Sequence, residues 1–219
     1  MRVKKLVLQT AHLKTLEEFY SLVLQLHVQS IDDAEIKVTM GDSDLVFIKA
    51  DHPEPFYHFA INIPANKIEQ AKTWLTAKVE LLWMDDYKSD IADFRNWNAK
   101  SVYFYDPAGN IVELIARFDL RNESNESFSS KQFISISEVG LVFKARDFEQ
   151  KNAELISSYF LSYFSKQPPL PQFRAIGDDE GLFVLVPEKR DWYPTKKPAG
   201  IFPMTVEFES EGKNFRLEA

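Results

Sequence analysis

The 219-residue chain is 45% hydrophobic and 14% aromatic, enough apolar material to fill a core of its own. Its formal net charge of −7 comes from intermixed acids and bases, without a Lys/Arg block that could track a phosphate backbone or an anionic membrane, so neither nucleic acid nor membrane is an expected partner. Cysteine is absent, which excludes disulfides, thiolate metal sites and a Cys nucleophile.

Met1 to Thr10 is interrupted by Lys4 and Lys5, and no run of about 18 apolar residues occurs, so a signal segment and a membrane span are both unexpected. The chain is read as a soluble, cytoplasmic protein. Leu6 to Thr10 reads as a strand, after which Leu13, Leu16, Phe19, Tyr20 and Val23 fall at helical spacing. Short strands follow at His27 to Ser30, Ala34 to Met40 and Leu45 to Lys49, with Gly41-Asp42-Ser43 as a turn. One βαβββ unit thus ends near Ala50. After the connector Asp51-His52-Pro53-Glu54-Pro55 the order restarts with a strand over Tyr57 to Ile63. The spacing then predicts a helix over Asn66 to Lys78, capped by Asn66 and burying Ile68, Ala71, Trp74 and Leu75.

Glu80 to Trp83 is followed by an Asp-rich stretch through Arg95 and by strands over Ser101 to Tyr105 and Ile111 to Arg117. Between them Asp106-Pro107-Ala108-Gly109-Asn110 supplies Pro, Gly and Asn where a tight hairpin needs them. Asp119 to Gln132 has no apolar period and reads as a linker. A third start comprises a strand over Ile136 to Phe143, a helical stripe of Ala153, Ile156, Phe160 and Tyr163, and strands at Phe173 to Ile176 and Leu182 to Val186. Phe202 to Phe208 reads as one further strand. The expected class is α+β: tandem βαβββ modules at 1–52 and 55–118 forming a ligand cup as a paired domain over 1–118, a linker at 119–132, and at 133–219 a truncated third module with an additional strand, all in cupped mixed sheets.

Two segments carry a resemblance. Leu13-Lys14-Thr15-Leu16-Glu17-Glu18-Phe19-Tyr20-Ser21-Leu22-Val23-Leu24 resembles the FY-bearing helix of vicinal oxygen chelate proteins, with Gln25 where that family usually has Gly. Val102-Tyr103-Phe104-Tyr105-Asp106-Pro107-Ala108-Gly109-Asn110-Ile111-Val112-Glu113-Leu114 resembles their closing hairpin. The superfamily includes glyoxalase-like lyases, extradiol ring-cleaving dioxygenases, epimerases and bleomycin-resistance proteins.

In metal-using relatives an ion sits in the cup between two modules, held from the first and last strand of each. The resemblance therefore implies His58 and Glu113 as ligands of one divalent ion, Fe, Zn, Ni or Mn, with a metal-free cup as the alternative. Strand alternation puts Phe56, His58, Ala60 and Asn62 on one face and Tyr57, Phe59, Ile61 and Ile63 on the other. In the first module the equivalent positions fall on Lys5 and on Val46 or Phe47, which are not ligands. In the third, Glu138 matches His58, but Val184 and Met204 take the other places, and no ion is expected there. Lys5 is expected near Glu113, as an electrostatic catalytic partner or as an ion pair replacing the metal.

Tyr103, Tyr105, Trp97 and Arg95 are candidate ligand-binding residues, the guanidinium of Arg95 suited to a ligand carboxylate and the rings to stacking. His12, His27 and His52 read as solvated, Gly109 as a hairpin residue, and Lys189 to Thr195 as a rim loop. Three functions fit: a metal-assisted glyoxalase-like or ring-cleaving enzyme with Glu113 and Lys5 as its catalytic residues, a metal-free module that sequesters a small molecule, or a partner protein whose truncated third unit covers a sheet edge or forms a homodimer.

Overall fold

A computed structural model describes residues 1–50 and 54–219. The connector positions 51–53, His52 among them, lie outside the described residues. The first module runs β1 (Arg2–Thr10), α1 (Leu13–Glu18) continued by a wide π-helical turn (Phe19–Val23), β2 (Val28–Asp32), β3 (Glu35–Met40) and β4 (Ser43–Lys49). The second runs β5 (His58–Ile63), α2 (Ile68–Thr76), β6 (Ala92–Phe94), β7 (Ala99–Tyr105) and β8 (Ile111–Arg117). The third supplies β9 (Ser135–Phe143), α3 (Phe148–Tyr159), β10 (Arg174–Asp178) and β11 (Gly181–Pro187), followed by β12 (Met204–Ser210) and β13 (Lys213–Glu218). The repeated βαβββ order expected from the sequence is present. Among the described residues, no helix is long and apolar enough to cross a membrane.

How the modules pair differs from the expectation. One sheet has six strands in the order β13-β12-β1-β4-β3-β2, and the other has seven in the order β10-β11-β9-β5-β8-β7-β6. The second module therefore shares its sheet with the third, through antiparallel β5 and β9, and not with the first. The third unit does two things: β9 extends the second module's sheet, and its last strands cover the β1 edge of the first module's sheet. The additional strand is in fact an antiparallel hairpin, β12 against β13, laid beside β1. The two sheets are built alike, because β1 lies between parallel β4 and antiparallel β12 just as β5 lies between parallel β8 and antiparallel β9.

Alternation sorts the side chains. Tyr57, Phe59, Ile61 and Ile63 enter the main core, shared with Leu6, Leu8 and Phe47 of the other sheet, so that burying this large apolar face holds the two sheets together. The opposite face of β5 looks away from that core, into the cup. Helix α3 starts earlier than its expected stripe and buries Phe148, Asn152 and Leu155, while Phe160 stands at its left-handed end and is exposed. Asn66 does not cap α2. Its side chain instead exchanges hydrogen bonds with the backbone of Ser124, fastening the 119–132 segment to the module.

The two recognisable segments meet. Tyr20 of the first module donates its hydroxyl to Asp106 Oδ2 at 2.9 Å, and Asp106 Oδ1 accepts the backbone N–H groups of Ala108 and Asn110 at 3.0 Å. Asn110 closes the turn by donating to Asp106 at 2.8 Å and accepting Tyr57 N–H at 2.8 Å. Gly109 holds the φ of +77° that the turn requires. Burial raises the Asp106 pKa to about 6. At the end of α1, Gln25 takes φ +57°, which explains why a glycine suits that position.

Candidate metal centre

Three strands carry the site. Ala60 on β5 is paired with Glu113 on one side and with Glu138 on the other, so two carboxylates flank a side chain too small to separate them. His58, two residues earlier on the same face of β5, joins them. One ligand atom from each of these residues lies within 4.8 Å of the others, and all three residues are buried. His58 Nε2 is 3.6 Å from Glu113 Oε2. Two atoms each about 2.1 Å from a shared ion stand about 3.0–3.5 Å apart when they are neighbours in its shell, close to this separation.

The protonation pattern follows from burial. His58 Nδ1 lies 3.1 Å from the carbonyl of Ile111, which accepts a hydrogen bond from the ring N–H and leaves the Nε2 lone pair facing the carboxylates. Desolvation lowers the His58 pKa to about 4, so the ring is neutral at pH 7. For Glu113 desolvation comes first and the charge of Glu138 second, together raising its pKa to about 8, partly offset by the Ser101 and Tyr103 hydroxyls. Glu113 Oε1 is buried without a hydrogen-bond partner. A neutral imidazole lone pair beside a buried carboxylate, whose other oxygen Oε1 has no hydrogen bond, is a donor set that a divalent cation would satisfy. The residues fit the ion that the resemblance implies.

Glu138 was not expected to take part, because the third module was read by itself. Its carboxylate is ion-paired with Arg117, whose side chain is fully buried. The Arg117 guanidinium lies between the rings of Trp97 and Phe164, at 5.5 and 5.8 Å, and its Nε donates to Ser137. It holds Glu138 Oε1.

Above these groups opens a cavity of about 260 Å³. Phe94, Trp97, Tyr103, Phe173, Trp192 and Tyr193 form most of its wall. Trp192 lies over Gly140, where an added Cβ would come within 2.7 Å of the indole, so the absence of a side chain there admits the ring. Of the residues singled out from the sequence, His58, Glu113, Tyr103 and Trp97 are brought together here. Tyr105 is not: it is exposed, near Lys197. Arg95 points to solvent beside Asp93 with 89% of its side chain accessible.

Lys5 also lies elsewhere, on β1 of the six-stranded sheet, paired in register with Asp44 and Glu207, so the expected Lys5–Glu113 pair does not form. By the parallel construction of the sheets Val7 takes the place of Ala60, and its flanking residues are Val46 and Thr205. Lys5, Val46 and Thr205 thus stand where His58, Glu113 and Glu138 do, and among the described residues the cluster able to hold a metal ion lies on the seven-stranded sheet.

No family model matches the sequence, and no curated protein matches it. Solved structures do. A dioxygenase candidate from Bacillus subtilis superposes with a TM-score of 0.58 at 14% identity, over 91% of this chain and 65% of that one. A glyoxalase I mutant from Zea mays gives 0.56 at 13%, over 90% of this chain and 70% of that one. The chain has the vicinal oxygen chelate fold. The cavity lies between the second and third modules, which share the seven-stranded sheet.

Proposed function

We propose that this protein is a metal-assisted enzyme acting on a small organic molecule, of the glyoxalase-like rather than the ring-cleaving kind. One observation carries this reading: His58, Glu113 and Glu138 converge at the floor of an aromatic cavity, where Glu113 is buried with its Oε1 left without a hydrogen bond. A set of one imidazole and two carboxylates suits Zn, Ni or Mn and departs from the two-His-one-carboxylate triad of iron oxygenases, which favours proton-transfer or lyase chemistry over oxygen insertion. A divalent ion there would polarise a carbonyl or enol oxygen of the substrate as a Lewis acid.

The protein's own groups do the rest. His58 is fixed in its ligating tautomer by Ile111, and Arg117 fixes Glu138. Glu113, which lines both the ligand cluster and the cavity, is the carboxyl placed to take and return a proton at the substrate. The Trp and Tyr walls exclude water and orient a flat ligand. A cavity of about 260 Å³ falls below the range typical of drug-sized ligands and suits a molecule of about one ring.

The test is elemental analysis of protein purified without chelator or affinity tag. About one equivalent of a transition metal is expected, and none in His58→Ala, which should keep its fold. Less than about a tenth of an equivalent in the wild type overturns the reading. The second reading, a metal-free small-molecule binder, is favoured by the Arg117–Glu138 ion pair, which already engages one of the three ligands.

A further inference from the structure

Beside Gln167, which accepts a hydrogen bond from Trp97, the cavity wall carries two polar groups that the metal reading does not use. Arg190 lines the wall, with its guanidinium 5.5 Å above the Phe173 ring. It is half-buried, and its hydrogen bond is a single long one, 3.4 Å, to the carbonyl of Asp191. Among the described residues no carboxylate lies within ion-pair distance of it, whereas Arg117 is paired with Glu138, and Lys166 with Asp119 and Asp179. Tyr193, on the same wall, has a buried hydroxyl without a hydrogen-bond partner. A half-buried guanidinium without a carboxylate partner and a buried unpaired hydroxyl, side by side on a largely apolar wall, suit a ligand that supplies acceptors.

We propose that the cavity selects a small aromatic acid, with the carboxylate received by Arg190 and assisted by Tyr193 while the ring lies against Trp97 and Trp192. The inference rests on the proposed site as far as the orientation of the ligand is concerned, its far end facing His58 and Glu113. Arg190 thereby takes the role that the sequence suggested for Arg95, which faces solvent. A planar guanidinium matches a carboxylate through two parallel hydrogen bonds, which a neutral amide cannot reproduce. Glu138 is neutralised by Arg117, and an ion held at the floor would leave the cup positive, so an anion is attracted.

The experiment is a titration of the full chain, followed by tryptophan fluorescence, with 4-hydroxybenzoate and its uncharged counterpart 4-hydroxybenzamide. It is run on chelator-treated protein and on protein with Mn(II) added, whose binding is measured separately. The acid is expected to bind at least about tenfold tighter than the amide. Arg190→Gln should remove that preference while leaving amide affinity, melting temperature and Mn(II) binding unchanged, and Arg190→Lys should restore part of it. Equal binding of acid and amide, an acid preference that survives Arg190→Gln, or no quenching by either compound in the millimolar range each overturns the inference. Because Mn(II) binding is read independently, a protein that takes no Mn(II) yet shows an Arg190-dependent acid preference contradicts only the metal reading. One that takes Mn(II) without the preference contradicts only this inference.

Discussion

Replacing Glu113 by Gln should flatten the dependence of stability on pH in metal-free protein. In the unfolded chain this carboxyl ionises near 4.5, whereas in the fold burial and the Glu138 charge hold its proton to about 8. Between these values the folded state binds the extra proton, so stability falls as pH rises and levels off above 8. At about 1.4 kcal/mol per pH unit the whole span amounts to about 5 kcal/mol, and the stretch from pH 6.5 to 8 alone to about 2 kcal/mol. For a chain of this length the latter is about 4–8 °C in melting temperature. Asp106, with its midpoint near 6, is common to both proteins and drops out of the difference between them, and His58 is already neutral across the window. Melting curves of wild type and Glu113→Gln, both in chelator, should diverge by that amount across the window, the wild type falling relative to the variant. Parallel curves would refute the assignment of a protonated, buried Glu113.

Three further substitutions probe the framework. Asp106→Ala removes the acceptor of two backbone N–H groups and strands the Tyr20 hydroxyl and the Asn110 amide, and should cost about 2–4 kcal/mol in urea unfolding; a loss below about 1 kcal/mol would contradict the proposed junction. Gln25→Gly relieves the left-handed backbone at φ +57° and should stabilise by about 0.5–1 kcal/mol, whereas a loss would show that the Gln25 side chain matters more than its backbone. Gly140→Ala would place a methyl 2.7 Å from Trp192 and 3.0 Å from the His58 carbonyl, so it should cost about 1–3 kcal/mol and shift the tryptophan emission; an unchanged spectrum would argue against the Trp192 packing.

What could be read from the residues alone was local. Period-2 alternation placed His58 and Ala60 on the cup face of β5 and Tyr57 and Phe59 on the core face, and the closing hairpin fixed Glu113 on β8. Pairing between modules leaves no such trace. The same alternation would allow β5 to meet the first module or the third, and the choice of β9 brings in Glu138 and removes Lys5. Local periodicity cannot supply a contact that spans the 119–132 segment, so the place of Glu138 beside His58 and Glu113 was missed although its strand had been recognised. Rim residues were harder still, because loop conformation and not strand register decides that Arg190 faces the cavity and Arg95 faces solvent. In α3 the aromatic Phe160 counted toward a helical stripe but sits at the left-handed cap, one residue past the helix. Strand β13, Lys-Asn-Phe-Arg-Leu-Glu, has few apolar residues and buries mainly Leu217, so it gave little hydrophobic signal.

The central claim is that the second and third modules together build one cation site. Anomalous diffraction from a crystal soaked in Mn(II) or Zn(II) tests it without reference to any activity. A single strong peak at coordination distance from both His58 Nε2 and the Glu113 carboxylate is the predicted result. A cavity floor without a peak, or an ion bound only by surface acids, would contradict it.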